Sequence, residues 1–222
     1  MVYPISKKTL WLYFRLYVKK VDGIENLPTN EPFILACNQE SHIDNFLYAP
    51  FVMSKLNKKV YFLTRFWYPK KKIGIISRVT LFTTKPLAVH WLGCIPALKK
   101  GGTVDACVSL LKKGNIIGIF PEGKRNHSKT LLEAKTGVAR MALLAKVPVV
   151  PVGIINSYKI LPIGAIVPRF HRAIINIGSP MYFDKYYDRV DNREVLKKVT
   201  DEIMIEIGKL CGKKYPKDKN NI

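Results

Sequence analysis

The chain has 222 residues, 48% of them hydrophobic, which suffices for one full core and argues against a disordered or fibrous protein. Lys and Arg number 37 against 16 Asp and Glu, a net charge of +21 that excludes a neutral surface and points to an anionic partner: a membrane surface, a phosphate-bearing substrate or nucleic acid. The four cysteines form no C-x-x-C pair and the four histidines show no metal-ligand spacing, so reduced thiols and no metal site are expected.

In chain order, no apolar run reaches the roughly 18 to 20 residues that span a bilayer. Residues 9–18, TLWLYFRLYV, are aromatic-rich and bracketed by Lys7, Lys8, Lys19 and Lys20. That pattern suits a short interfacial helix with lysines reaching anionic lipid, or a core helix of the main domain. The expected organisation is a membrane-interface helix over 1–20, a single domain over 21–212 and a basic mobile tail over 213–222. After a turn-rich entry, Phe33 to Cys37 reads as a buried strand. The polar cluster Asn38 to Asp44 follows and leads into a helix from Asn45, a junction where helix amides and side chains converge on ligands.

Val60 to Leu63 is a second strand. Arg65 and the lysines near Phe66, Trp67 and Tyr68 read either as a membrane-facing edge or as a solvated basic loop. A helix is expected from Thr103 as N-cap to Lys113, ended by Gly114. The apolar run Ile116 to Ile119 then breaks into Phe120-Pro121-Glu122-Gly123-Lys124-Arg125, which sets a carboxylate and two cations on a loop at the carboxyl end of a strand. A helix over about 131–146, strands at 148–154 and 173–177, and a helix begun by a capping box at Asp191 and Glu194 complete the pattern. Strands alternating with helices predict an α/β fold, a central mostly parallel or mixed sheet flanked by helices.

The order of four blocks resembles the glycerolipid acyltransferase family, best known through the 1-acylglycerol-3-phosphate (lysophosphatidic acid) O-acyltransferases. Asn38, Gln39, Glu40, Ser41, His42, Ile43 and Asp44 stand where the family has N-H-x-S-x-x-D. Gly93 to Lys99 follows G-x-I-P-x-x-R, Phe120 to Arg125 is F-P-E-G-x-R unchanged, and Val147 to Val152 is V-P-[IV]-[IV]-P-V. The resemblance implies transfer of a fatty acyl group from acyl-CoA or acyl carrier protein to a free hydroxyl of 1-acylglycerol 3-phosphate, with no cofactor beyond that co-substrate. It places the protein peripherally at the cytoplasmic face of an anionic membrane. It assigns phosphate binding to Arg125 and to Lys99 or Lys100, acceptor contact to Glu122, close backbone approach to Gly123, and puts Asn38 and Ser41 among the substrate-binding residues.

By the same resemblance Asp44 orients the base, but the base position holds Gln39. A primary amide has no protonation equilibrium near neutral pH, and a general base contributes about a hundred- to ten-thousand-fold. Three explanations stand: a variant disabled at this position, a natural non-catalytic lysophospholipid-binding pseudoenzyme, or His42 as a substitute. If the segment were helical, His42 and Asp44 would point to different faces, which favours the first. A basic nucleic-acid-binding protein is the alternative from another class. No stacking platform accompanies the dispersed charge, so no nucleic acid is expected.

Overall fold

The computed structural model describes residues 12, 14–64, 94–96, 102–163, 165 and 167–217. Its strands are β1 (Val18–Asp22), β2 (Ile34–Cys37), β3 (Val60–Thr64), β4 (Cys94–Pro96), β5 (Ile116–Ile119), β6 (Val149–Ile155) and β7 (Ala173–Ile177). Its helices are α1 (Asp44–Leu56), α2 (Thr103–Lys112), α3 (Gly137–Ala145), the single turn α4 (Ser157–Ile160) and α5 (Arg193–Cys211). The strands form one sheet in the order β1-β7-β6-β2-β5-β3-β4. β6, β2, β5, β3 and β4 run parallel, β7 is antiparallel to β6, and β1 is parallel to β7.

The central strands are apolar runs because both of their faces are covered, as parallel sheets require. All four residues of β2 are buried. Ile34 and Ala36 pack with Ile117 and Val149 under α2, α3 and α5. Phe33, Leu35 and Cys37 pack with Val60, Val150 and Val152 under α1. The result is a three-layer α/β/α arrangement, as the alternation of strands and helices predicted. Helix α5 carries Val195, Val199, Ile203 and Ile207 on its buried stripe. It lies so close to β6 that a Cβ on Gly153 would sit 2.5 Å from the Leu210 carbonyl carbon.

Several boundaries differ from those the sequence suggested. The helix expected over 131–146 begins only at Gly137, because the donors of the preceding segment go to tertiary partners: Leu131 N to Lys214 O and Lys135 N to Pro121 O. Helix α5 is capped by Asn192, whose side chain accepts from the amides of Glu194 and Val195, rather than by Asp191. Helix α2 begins at Thr103 and has Gly102, at φ 69°, as its N-cap residue, one position before the Thr103 N-cap the sequence suggested.

The amino-terminal helix ends early. Phe14 and Arg15 are helical, but the chain enters β1 at Val18, so Lys19 and Lys20 belong to a strand. Phe14 stacks on Phe46 of α1 with ring centroids 5.4 Å apart, and both Phe14 and Val18 are buried. The expected mobile tail is anchored as far as Lys217: Lys214 N donates to Lys129 O and Tyr215 is buried, its hydroxyl donating to Asp201. Residues 218–222, the basic aromatic stretch near residue 67, and Lys99 and Lys100 lie outside the described residues. Among the described residues no helix is long and apolar enough to cross a membrane, and no cluster of His, Cys, Asp and Glu could hold a metal ion.

Candidate functional site

Because β2, β5 and β6 are parallel, with Ala36 opposite Ile119 and Cys37 opposite Val152, the loops that follow them leave one edge of the sheet, with β6 running on to Ile155. Open α/β sheets bind their ligands at such an edge. The loop after β2 carries Asn38 to Ile43, and the loop after β5 carries Phe120 to Asn126.

The two loops are joined backbone to side chain. Gln39 N donates to Glu122 Oε1 at 3.3 Å, and Asn126 N donates to Gln39 O at 2.6 Å. Glu122 is buried, and its second oxygen accepts from Leu132 N at 2.9 Å and Asn126 Nδ2 at 3.1 Å. No ion pair joins it to Lys124 or Arg125, so its carboxylate braces the two loops. The turn itself follows from sequence: Gly123 N donates to Phe120 O at 3.0 Å, with Pro121 and Glu122 at the central positions and Gly123 at φ 67°. A Cβ on Gly123 would meet only the flexible end of Lys135, at 3.4 Å, so it is the backbone conformation that requires glycine there.

The first loop is as firmly held. Asn38 donates from Nδ2 to Ile154 O at 2.9 Å and accepts from Ile154 N at 2.7 Å, so its side chain extends the β2–β6 pairing by one rung. Ser41 Oγ donates to Leu161 O at 2.7 Å, linking the loop to the segment after α4. Both residues, expected to contact substrate, have these side-chain groups engaged by backbone. Asp44 opens α1, where a carboxylate also suits the helix dipole. Its Oδ2 accepts from the amides of Glu40 and Ser41, each at 2.8 Å.

Asp44 is fully buried and its Oδ1 has no hydrogen-bond partner. Burial pushes its pKa up to about 7, opposed by the Ser157 hydroxyl and the two amides and reinforced by the charge of Glu40. Ser157 Oγ lies between the acids, 3.4 Å from Glu40 Oε2, and one hydroxyl proton serves one carboxylate at a time. Glu40 forms a buried ion pair with Lys213 at 2.6 Å. Lys213 Nζ also donates to Asn126 O at 3.2 Å. The start of the expected tail therefore clamps both loops from below.

His42 is not helical. It occupies the turn before α1, so the helical geometry that set it apart from Asp44 does not apply. Its ring is exposed, and its pKa lies below the ordinary value through partial burial and then through the nearby Arg125 guanidinium. His42 and Arg125 thus lie close enough for their charges to interact. His127 stacks on Tyr158 of α4 with centroids 5.8 Å apart. Lys213 and Asn126 were invisible as site residues in the sequence. Asn126 directly follows the F-P-E-G-x-R block, and that adjacency was its only signal.

The arrangement can hold an anionic group at Arg125, beside a half-buried Gln39, a neutral imidazole and a buried acid with one free acceptor. A family model described as Acyltransferase matches residues 19–155. The fold is similar to that of the 1-acyl-sn-glycerophosphate (LPA) acyltransferase PlsC from Thermotoga maritima, with TM-score 0.64 and 20% identity over 92% of this chain and 79% of that one.

Proposed function

The chain belongs to the acyltransferase family, and from that premise we propose that it handles the transfer of a fatty acyl group from acyl-CoA or acyl carrier protein to the free hydroxyl of 1-acylglycerol 3-phosphate, peripherally bound at the cytoplasmic face of an anionic membrane. The observation that supports the proposal is the joining of the two motif loops, with Gln39 N donating to Glu122 Oε1 and Asn126 N to Gln39 O, so that residue 39 and the F-P-E-G-x-R loop belong to one constellation.

In the reaction, the acceptor oxygen attacks the thioester carbonyl, the carbon–sulfur bond breaks, the thiol leaves and the hydroxyl proton passes to a base. Arg125 offers the planar fork that suits a phosphate, with Lys99 or Lys100 as an expected second cation. Asp44 Oδ1 is the free acceptor that a histidine at position 39 would use to fix its tautomer and stabilise its charged form. Gln39 cannot take the proton. The chain as written is therefore an acyltransferase scaffold lacking its base at the family position.

Thioester release with lysophosphatidic acid tests this on three chains: the parent, Gln39→His and His42→Ala. Gln39→His is expected to raise the rate by about 10²–10⁴-fold. A Gln39→His chain that still fails to turn over but binds the lysolipid would make the protein a binding module instead. A second reading has support of its own: His42 sits in a turn with a depressed pKa, so its imidazole is neutral at working pH and able to accept a proton. Turnover by the parent that His42→Ala abolishes would establish that reading and remove the first.

A further inference from the structure

Six large hydrophobic side chains are exposed among the described residues, and five of them fall in two short segments: Leu12 and Leu16 before β1, and Ile163, Val167 and Phe170 before β7. The sheet brings these segments together. Val18 at the start of β1 pairs with Ala173 at the start of β7, and Ala173 N donates to Tyr17 O at 2.8 Å. Ile174 pairs in turn with Ile155 at the end of β6, so both segments lie on the sheet edge from which the two motif loops emerge. Arg172, at the end of the second segment, lines a groove of about 700 Å³ together with Leu12 and Leu16, so the second segment ends beside the first. The second segment is also tied to the site, since Ser41 Oγ donates to the carbonyl of its first residue, Leu161.

The exposed apolar side chains are set among cations. Arg15, Lys19, Arg169 and Arg172 are exposed, and no Asp or Glu lies within residues 161–172. Val167 and Phe170, 76% and 77% exposed, are separated by Pro168 and Arg169. Proline limits the conformations lost on ordering, and an arginine beside large apolar groups is the composition of a segment that enters the headgroup layer. A chain of charge +21 would not leave such a surface to a basic partner.

We propose that this two-part rim, residues 12 and 14–16 together with 161–163, 165 and 167–172, docks on an anionic lipid bilayer, with Leu16, Ile163, Val167 and Phe170 entering the interface and Arg15, Arg169 and Arg172 meeting the headgroups. The proposal rests on the reading of a lipid acceptor and names the surface through which it is reached. Docking there turns the sheet edge that carries the loops of His42 and Arg125 toward the membrane, so a lysolipid crosses from the bilayer to the site without passing through water.

The test is co-sedimentation of the full chain with vesicles of phosphatidylglycerol and phosphatidylcholine, compared with phosphatidylcholine alone. The variants are Ile163→Ser/Val167→Ser/Phe170→Ser and, as control, Tyr182→Ser. Tyr182 is the sixth exposed hydrophobic and follows Met181, which bridges to Val149 at the opposite edge of the sheet. The parent is expected to bind the anionic vesicles, less so in 1 M salt, where the Debye length falls to about 3 Å. The triple variant is expected to lose roughly tenfold or more in partitioning, because binding scales with the apolar area inserted, and Tyr182→Ser to match the parent.

Partitioning of the triple variant equal to that of the parent overturns the proposal, as does an equal loss in Tyr182→Ser. Unchanged vesicle binding with lost binding of an acidic acyl carrier protein would make the rim a protein dock and overturn it too. Thioester release by Gln39→His on a short-chain, water-soluble lysolipid reads the site alone, so failure of the acyl-transfer reading is seen separately from failure of the rim.

Discussion

Residues 38–44 and 120–126 leave the same edge of the sheet as residues 161–163, 165 and 167–172, yet the two regions are built to opposite rules. In the motif loops the polar side chains are drawn inward: Asn38 completes a strand rung, Ser41 holds Leu161, Glu122 braces three donors and Glu40 pairs with Lys213. In the rim, large apolar side chains point out, Phe170 at 77% exposure. Much of what reads as a substrate-binding motif is therefore scaffold that fixes a loop, and among the described motif residues Gln39, His42, Arg125 and the free oxygen of Asp44 remain as candidate groups for chemistry. A loop that must hold reacting atoms to within a fraction of an ångström needs such support.

The sharpest way to break that contrast is to remove a brace. Lys213→Met leaves Glu40, which is 2% exposed, as an uncompensated buried carboxylate, a change that costs about 3–5 kcal/mol. Chemical denaturation should show that loss, and Lys213→Met/Glu40→Gln should recover most of it. A stability equal to the parent's would mean that residues 213–217 do not clamp the loops. The next largest effect is expected at Asn38→Ala, which orphans the buried N–H and C=O of Ile154 at about 1–3 kcal/mol each. A substrate-binding role would instead raise KM with the melting temperature unchanged, so the two measurements together separate brace from ligand.

Asp44 belongs to both sides of the comparison, braced through Oδ2 and free at Oδ1. Its folded pKa, pushed up to about 7, lies above the ordinary carboxylate value of about 4. Between those values the folded chain holds a proton that the unfolded chain has released. The stabilisation it gives is thus complete below about pH 4 and lost as pH rises to about 7. Asp44→Asn keeps an acceptor for the amides of Glu40 and Ser41 and removes the titration. Its melting temperature relative to the parent should rise between pH 5 and pH 8, measured by circular dichroism. A difference independent of pH would mean that Asp44 is ionised throughout.

The layered fold and the gathering of the two motif loops at one edge of the sheet were legible because they depend on local pattern. Runs such as Ile116 to Ile119 are strands whatever lies beside them, and the four ordered blocks named the edge. What was hidden depends on distant partners. Lys213 sits in a lysine-rich stretch that reads as solvated, and only folding brings it to Glu40. Leu131 to Lys135 has helical spacing, yet its amides bond to Lys214, Glu122 and Pro121, so tertiary contacts displace the helix start. The turn at His42 was hidden for a similar reason, since Asp44 accepts from two amides behind it and the helix starts only at its own position. No periodicity reports on such a bond.

The smallest predicted effect bears on the rim. A side chain left largely in water contributes little to the folded state, so its replacement should leave stability within about 0.5 kcal/mol of the parent. Leu16→Ser and Phe170→Ser, at 49% and 77% exposure, should melt with the parent. Neighbouring Phe14, only 8% exposed and stacked on Phe46, should not tolerate Phe14→Ser, since truncating a buried aromatic costs about 3–5 kcal/mol. The pair divides one turn of chain into an inward and an outward face. If Leu16→Ser destabilised the protein as much as Phe14→Ser, the rim would be core, and its apolar atoms would have found a partner within the chain.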